Sequence, residues 1–448
     1  MGRSGHGASA FLCAACLVLA GCGGVGGGDE EPAGGEGVRI TTMGFGLPDE
    51  HATARVDAFR EANPDVEVRV NEGGFDEQQF LSAVAAGDAP DVVYVDRNRI
   101  GSLAARGAIE PIDDCVEREK IDLGQYREQA VRQVRLDDKV YGLPEFHMVR
   151  VLILNNAVLR EAGVSPEEVM TTDWGRLPDV TGRLAKVDGG ALTRIGFDPK
   201  IPDFLPMWVD AAGGELVSGD GTPKLDSPEV EEAVRLGVDL VARQGGWAEF
   251  SAFRESWDFF GANNQYVAGQ LAAMPMEAWY INTLAANSPG VDVTIAPFTD
   301  REGRPISYAT GQAWAIPQGS PHPEQACRFM ATMTATDTWV RAAEARRDAL
   351  AKENKVYSGT YTANTEADRR IFEDVYTAKD DPIIDAGVQV ALSVQDSATS
   401  LAASPASYEL VEAYTAAVNR VLNGQQELKE ALAQAQREAV EAAERAGK

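Results

Sequence analysis

Val38-Arg39-Ile40-Thr41-Thr42-Met43, Val66-Glu67-Val68-Arg69-Val70 and Val92-Val93-Tyr94-Val95 are strand patterns, and what separates them decides the fold. After the first comes the turn Gly44-Phe45-Gly46-Leu47-Pro48. Asp49 can then cap a helix with Ala52, Val56 and Phe59 on one face, stopped by Asn63-Pro64. A second helix over Asp76–Ala86 precedes Pro90-Asp91 and the third strand. Strands alternating with helices in this way argue for a parallel α/β sheet. The alternation continues through strands at Val149–Leu154, Arg194–Phe197, Leu271–Met274, Val291–Pro297 and Tyr308–Pro317. From Glu324 the pattern is mostly amphipathic helix, ending in Ala406–Leu422 and Gln425–Ala446 with Gly424 as the break. Without a long heptad run, this last pair reads as helices packed on a sheet domain rather than a coiled coil.

The chain of 448 residues carries a formal net charge of −28. That opposes nucleic-acid binding, which rests on Lys and Arg neutralising phosphates, and docking on anionic lipid through a basic patch. Enzyme motifs are wanting. Gly21-Cys22-Gly23-Gly24-Val25-Gly26 matches a dinucleotide fingerprint but precedes any strand. Gly44-Phe45-Gly46 follows a strand, yet Asp49 stands where the third glycine belongs and would face a pyrophosphate with a carboxylate. There is no G-x-S-x-G, no P-loop lysine motif and no H-E-x-x-H. His51, His147 and His322 are far apart and lack metal spacing. No cofactor or metal is expected.

The N-terminus carries an address. Residues 10–20 form a short apolar run after Arg3 and His6, closing in Leu19-Ala20-Gly21-Cys22. The run is shorter than the roughly 20 apolar residues a spanning helix needs. It resembles the lipobox of a bacterial lipoprotein signal. The resemblance implies removal of residues 1–21, a lipid on Cys22 and an extracytoplasmic, membrane-anchored location. Gly23–Gly37 lacks apolar periodicity and reads as part of a flexible tether over residues 22–37. Cys13 and Cys16 leave with the signal, and such a location permits a disulfide between Cys115 and Cys327, two buried free thiols being the alternative.

A series of phrases in order carries a second resemblance. They are Ala83-Val84-Ala85-Ala86-Gly87-Asp88-Ala89-Pro90-Asp91-Val92-Val93, Leu103 through Asp114, Lys139-Val140-Tyr141-Gly142-Leu143-Pro144, Asn155 through Gly163, Leu271 through Trp279, and Ala315-Ile316-Pro317-Gln318-Gly319-Ser320. Together they resemble family 1 of the extracellular solute-binding proteins of ABC importers, the group containing maltose-binding protein, over nearly all of residues 38–440. Two places depart from the family's pattern. Leu152-Ile153-Leu154-Asn155-Asn156 stands where Tyr-Tyr-Asn is common, and Phe45 where many members have Trp.

The resemblance implies a type II clamp of two α/β lobes, with the chain crossing the hinge near Pro144–Val149, near Tyr308–Gln312 and near Arg346–Lys352. Lobe 1 is then residues 38–146 with about 312–346, and lobe 2 residues 147–311 with about 347–448, including the C-terminal helices. Ligands of open α/β sheets bind beyond the carboxyl ends of strands, so a cleft between lobes collects those loops. A sugar there wants flat aromatic surface for its C–H faces and fixed polar partners for its hydroxyls. The residues expected to converge are Glu72, Asp96, Arg97, Glu145, His147, Phe204, Trp208, Trp279, Tyr308, Gln312, Arg347 and Asp348. Trp279, Asp96 and Arg97 match the family's cleft positions. Phe45, Trp257 and Tyr408 are weaker candidates.

The expected function is a lipid-anchored, monomeric binding protein that captures a mono- or oligosaccharide by hinge closure and presents it to transmembrane permease subunits served by a separate ATPase. Two alternatives stay open. One is the same fold holding a polyamine, phosphodiester or metal chelate; the other is a lipid-anchored glycoside hydrolase with two carboxyls about 5–9.5 Å apart.

Overall fold

The computed structural model describes residues 37–170, 173–219 and 221–446. The signal, Cys22 and all of the expected tether except Gly37 lie outside the described residues. Among the described residues, no helix is long and apolar enough to cross a membrane.

The strands that frame the molecule are β1 (Val38–Met43), β2 (Val66–Val70), β3 (Val92–Asp96), β4 (Leu143–Pro144), β5 (Arg150–Asn155), β6 (Lys186–Asp188), β7 (Ala191–Phe197), β8 (Leu271–Glu277), β9 (Val293–Ala296) and β10 (Gln312–Ala315). They form two separate five-stranded sheets. The first has the order β2-β1-β3-β10-β4, the second β9-β5-β8-β7-β6. In the first, β1 runs parallel to β2, with Ile40 opposite Val68, and parallel to β3, with Thr42 opposite Val92. The sheet is nevertheless mixed, because β10 returns from beyond the second sheet and pairs antiparallel with both β3 and β4. The second sheet is mixed too: β8 is parallel to β7 and antiparallel to β5.

Each sheet has its own core. The first gathers Ile40, Val92, Trp314 and Phe329; the second gathers Ile153, Phe197, Trp208 and Met274. Two cores, each with helices on its sheet, make a two-lobed α/β clamp.

The helices begin and end where local chemistry dictates. Asp49 accepts from the Ala52 amide to cap α1 (Glu50–Ala62), and Asp76 accepts from the Gln79 amide to cap α2 (Glu77–Ala86). Gly87 ends α2 in the left-handed conformation a side chain resists. Next come α3 (Arg97–Ala105), α4 (Asp113–Arg118), α5 (Leu205–Ala211), α6 (Pro228–Ala242) and α7 (Tyr280–Asn287). The C-terminal third supplies α8 (Pro323–Thr334), α9 (Thr336–Lys352), α10 (Pro382–Ser393), α11 (Ser407–Leu422) and α12 (Leu428–Ala446).

The chain passes between lobes at Phe146–Val149, where Met148 bridges to Thr310, and again at Tyr308–Gly311. Over Arg346–Lys352 the chain is still on the first lobe. Helix α9 stays with the first lobe to its end, because Arg346 bonds Glu50 of α1 and Leu350 joins a small core with Trp339, Tyr357 and Val375. Val356 and Tyr361, just beyond α9, already pack with the second core, and α10, whose Val388 belongs to that core, then packs on the second sheet.

Cys115 on α4 and Cys327 on α8 are joined as a disulfide between positions 212 residues apart. Both are buried in the first core. Replacing both with serine is expected to lower unfolding stability by about 2–4 kcal/mol, read from denaturant midpoints. An unchanged midpoint would mean that the bridge constrains nothing.

Candidate functional site

Between the sheets lies a cavity of about 770 Å³, within the roughly 300–1,000 Å³ common for small-molecule sites. Its walls come from both lobes. On the first side stand Gly44–Asp49 after β1, Glu72 and Gly73 after β2, Tyr94 on β3 and Gln312 on β10. The first three groups lie toward the carboxyl-terminal ends of the parallel strands, where an open α/β sheet presents its loops, and Gln312 begins antiparallel β10 at that same edge. On the other side stand Trp279, which follows β8, and Asn282, Thr283 and Ala286 on one face of α7. Glu145, Phe146 and Met148 form the hinge wall, and Val356–Tyr361 with Arg346 and Leu350 close the remaining side.

The floor is a buried ion pair in an aromatic setting. The Arg55 guanidinium lies 2.9 Å from Glu145 Oε1 and 4.2 Å from the centre of the Trp339 ring. Glu145 also accepts from Tyr94 Oη at 3.1 Å and from Trp314 Nε1. Burial pushes the Glu145 carboxyl up, and Arg55 acts against that push. Burial likewise raises the Tyr94 phenol well above its ordinary value, so Tyr94 stays a neutral donor. Phe45 packs edge-on against Trp314 at 4.8 Å. Gly44 turns the chain with φ +82°, and a Cβ there would sit 2.3 Å from the Tyr94 carbonyl oxygen, so the wall needs glycine at this point.

Apart from Glu72 at the rim, the polar side chains described next are neutral or paired. His51 Nε2 lies 2.8 Å from Thr360 Oγ1, which lies 2.8 Å from Tyr357 Oη. Burial lowers the imidazole to about 4, so at neutral pH it is an uncharged hydrogen-bonding group. Asn282 donates to the Gly359 carbonyl at 3.1 Å and accepts from Ser358 Oγ at 2.8 Å, tying α7 to the segment opposite. Arg346 donates to Glu50 at 2.6 Å. Gln312 donates to Asp96 Oδ1 at 3.0 Å.

Among the residues singled out from the sequence, Glu72, Glu145, Trp279, Gln312 and the weaker candidate Phe45 line the cavity. Asp96 sits one bond behind it through Gln312. The others are placed elsewhere. Arg97 is buried, donates to Gln133 at 2.9 Å and to the Phe146 carbonyl, and has its guanidinium lowered by burial to about 9. His147 is buried 3.3 Å from the Gln395 carbonyl, with burial holding it well below its ordinary value. Phe204 and Tyr308 flank the guanidinium of Arg150 at 4.8 and 5.4 Å, a hinge support rather than a cavity wall. Trp208 is core: its Nε1 donates to the Pro199 carbonyl and its ring packs on Phe298. Arg347 and Asp348 pair with each other, while the preceding residue, Arg346, faces the cavity. Trp257 is buried, and Tyr408 lies over Arg99 at 3.9 Å.

Several lining residues escaped sequence reasoning. His51 and Arg55 share a face of α1 by their spacing of four, which marks a helix stripe without saying what it faces. Tyr357-Ser358-Gly359-Thr360-Tyr361 has the aromatic and hydroxyl content of a sugar contact, but it sits in a tail that reads as helix.

The comparisons with known proteins agree with this architecture. A sequence model described as bacterial extracellular solute-binding protein matches residues 49–338. An arabinooligosaccharide-binding protein of Bacillus subtilis (strain 168) is 22% identical over 331 residues, covering 70% of this chain and 72% of its own. The maltodextrin-binding protein MdxE of the same organism is 28% identical over 311 residues, covering 67% and 70%. Among solved structures, CpMnBP1 with mannotriose bound is similar with a TM-score of 0.72 and 25% identity, over 90% of this chain and 100% of that one. With a matched model spanning both lobes and this cleft between them, the chain belongs to the bacterial extracellular solute-binding proteins, family 1, of the maltose-binding-protein kind.

Proposed function

We propose that this protein captures an oligosaccharide in the interlobe cavity and hands it to the permease of an ABC importer, tethered outside the membrane through a lipid on Cys22. The observation that carries the reading is the cavity itself. Aromatic rings from the first lobe (Phe45, Tyr94), from the second (Trp279) and from the closing segment (Tyr357, Tyr361) surround neutral hydrogen-bonding side chains. Flat rings suit the C–H faces of a pyranose or furanose, and fixed amides, hydroxyls and imidazole suit its hydroxyls. The named relatives bind arabinooligosaccharides and maltodextrin, and CpMnBP1 holds mannotriose.

The electrostatics weigh against the other readings. Arg55 is matched by Glu145 and Arg346 by Glu50, so neither stands as an open cation for a phosphodiester. Glu145 is committed to three donors and Asp49 caps α1, which leaves Glu72 at the rim as a carboxylate without a partner acid for glycoside cleavage. A polyamine would want several free carboxylates, which this arrangement does not offer.

The test is a thermal-shift screen with arabino-, manno- and malto-oligosaccharides, spermidine and a glycerophosphodiester. At a hundredfold excess over Kd, a true ligand stabilises the folded protein by about 2.7 kcal/mol. A shift with spermidine or the phosphodiester and none with any sugar defeats the proposal, and release of shorter sugars on incubation makes the protein a hydrolase. Cys22→Ser is expected to move the protein from the membrane to the soluble fraction with ligand binding intact.

A further inference from the structure

Phe260 is 63% exposed, the most exposed of the large hydrophobic side chains among the described residues. A lone exposed apolar residue is ordinary on a protein surface. This one is built in. Its ring lies nearly parallel to that of Trp279, with centroids 6.0 Å apart and planes 18° apart. Parallel aromatic pairs favour such an offset stack over a face-to-face sandwich. Phe259 supports it edge-on at 5.0 Å. The backbone beneath is pinned at two successive residues from the two ends of α7. Tyr280 Oη donates to the Phe259 carbonyl at 2.7 Å, and Asn287 Nδ2 donates to the Phe260 carbonyl at 2.9 Å. Gln265 in turn donates to Tyr280 Oη at 2.9 Å. The helix that presents Trp279, Asn282 and Ala286 to the cavity therefore also fixes the position of a ring outside it.

We infer that Phe260 is an outer subsite: it carries the Trp279 stacking surface beyond the cavity to hold a further unit of an oligosaccharide whose inner units lie inside. The inference rests on the proposed function above and adds chain length as a property read by this site. Continuity decides the occupant. Trp279 lines the cavity and its ring lies beside that of Phe260, so a chain stacked on Trp279 and leaving the cavity on that side meets the exposed ring. A pinned aromatic ring costs little entropy to use, which suits repeated weak contacts with successive sugar rings.

The experiment is isothermal titration of wild type and Phe260→Ala with di- to hexasaccharides of the arabino-, manno- and malto- series. Wild type is expected to gain affinity with chain length. Phe260→Ala should lose about fivefold on the longest members of the preferred series and nothing on the disaccharide. Phe260→Trp should retain the gain, which separates stacking from general disturbance of the loop. Equal affinities for wild type and Phe260→Ala at every length, or an equal loss at every length, overturn the subsite alone. Wild-type protein that binds no saccharide of any length overturns the subsite and the proposed function together.

Discussion

Trp279→Ala is expected to weaken sugar binding by thirtyfold or more, about 2 kcal/mol, with little change in the melting temperature of the free protein. The ring is half-buried at the cavity wall and touches Phe260 and Tyr280, so its removal opens no sealed core. In the proposed complex its large flat surface is desolvated by the sugar, the kind of anchor that dominates binding energy. Titration calorimetry on wild type and variant, beside thermal melts without ligand, checks both halves. Trp279→Phe should keep part of the affinity. An unchanged Kd for Trp279→Ala would place the sugar elsewhere in the cavity.

The largest effect on stability is expected at the cavity floor. Arg55→Met leaves Glu145 wholly buried with only Tyr94 and Trp314 as donors. Removing one member of a buried pair costs about 3–5 kcal/mol, because the other charge remains desolvated. The double variant Arg55→Met/Glu145→Gln should recover much of that loss, and the cycle measures the coupling. The pH dependence has a definite sign. Burial already raises Glu145 above its ordinary 4.5, and Arg55 opposes that rise. Without Arg55 the carboxyl is raised further. A raised carboxyl favours the folded state most below its unfolded pKa and loses that advantage as pH climbs through the folded value. The deficit of Arg55→Met relative to wild type should therefore be widest at neutral pH and narrow as pH falls toward 4.5. A deficit below about 1 kcal/mol in urea titrations at pH 7 would mean that Glu145 finds its stabilisation elsewhere.

The lobes were legible because alternation is a local signal. β2 runs over Val66–Val70 as its pattern indicates, and β10 rejoins the first sheet after the second block of strands is complete. Arg346–Lys352, expected at a passage, is the end of a helix held on the first lobe; a helix's periodicity does not say which lobe it packs on, and the Arg346–Glu50 contact is tertiary. The site followed the same division. Glu72 and Gln312 sit where loops leave or enter strands, so topology alone brings them to the cleft. Phe204 and Trp208 belong to the start of α5, and both rings turn inward, Trp208 toward Phe298 and Phe204 toward Arg150. Buried aromatics and cleft aromatics have the same composition; only side-chain direction parts them. Tyr357, Thr360 and Tyr361 reach the cavity through a segment of irregular backbone, for which no periodicity exists to read.

The return of β10 has a consequence for the order in which the protein can become itself. β10 lies between β3 and β4, hydrogen-bonded to both. Until residues 312–315 arrive, β3 and β4 each present an unpaired edge, although both precede β10 by more than 160 residues. Open edges invite pairing with other chains, and contacts so distant in sequence form slowly. The sheet begun first is thus not the first able to close. The second sheet, drawn wholly from residues 150–296, can close before it. A chain ending before residue 312 would carry one sheet with its strands complete and one with a gap between β3 and β4, a template for aggregation rather than half a binding protein.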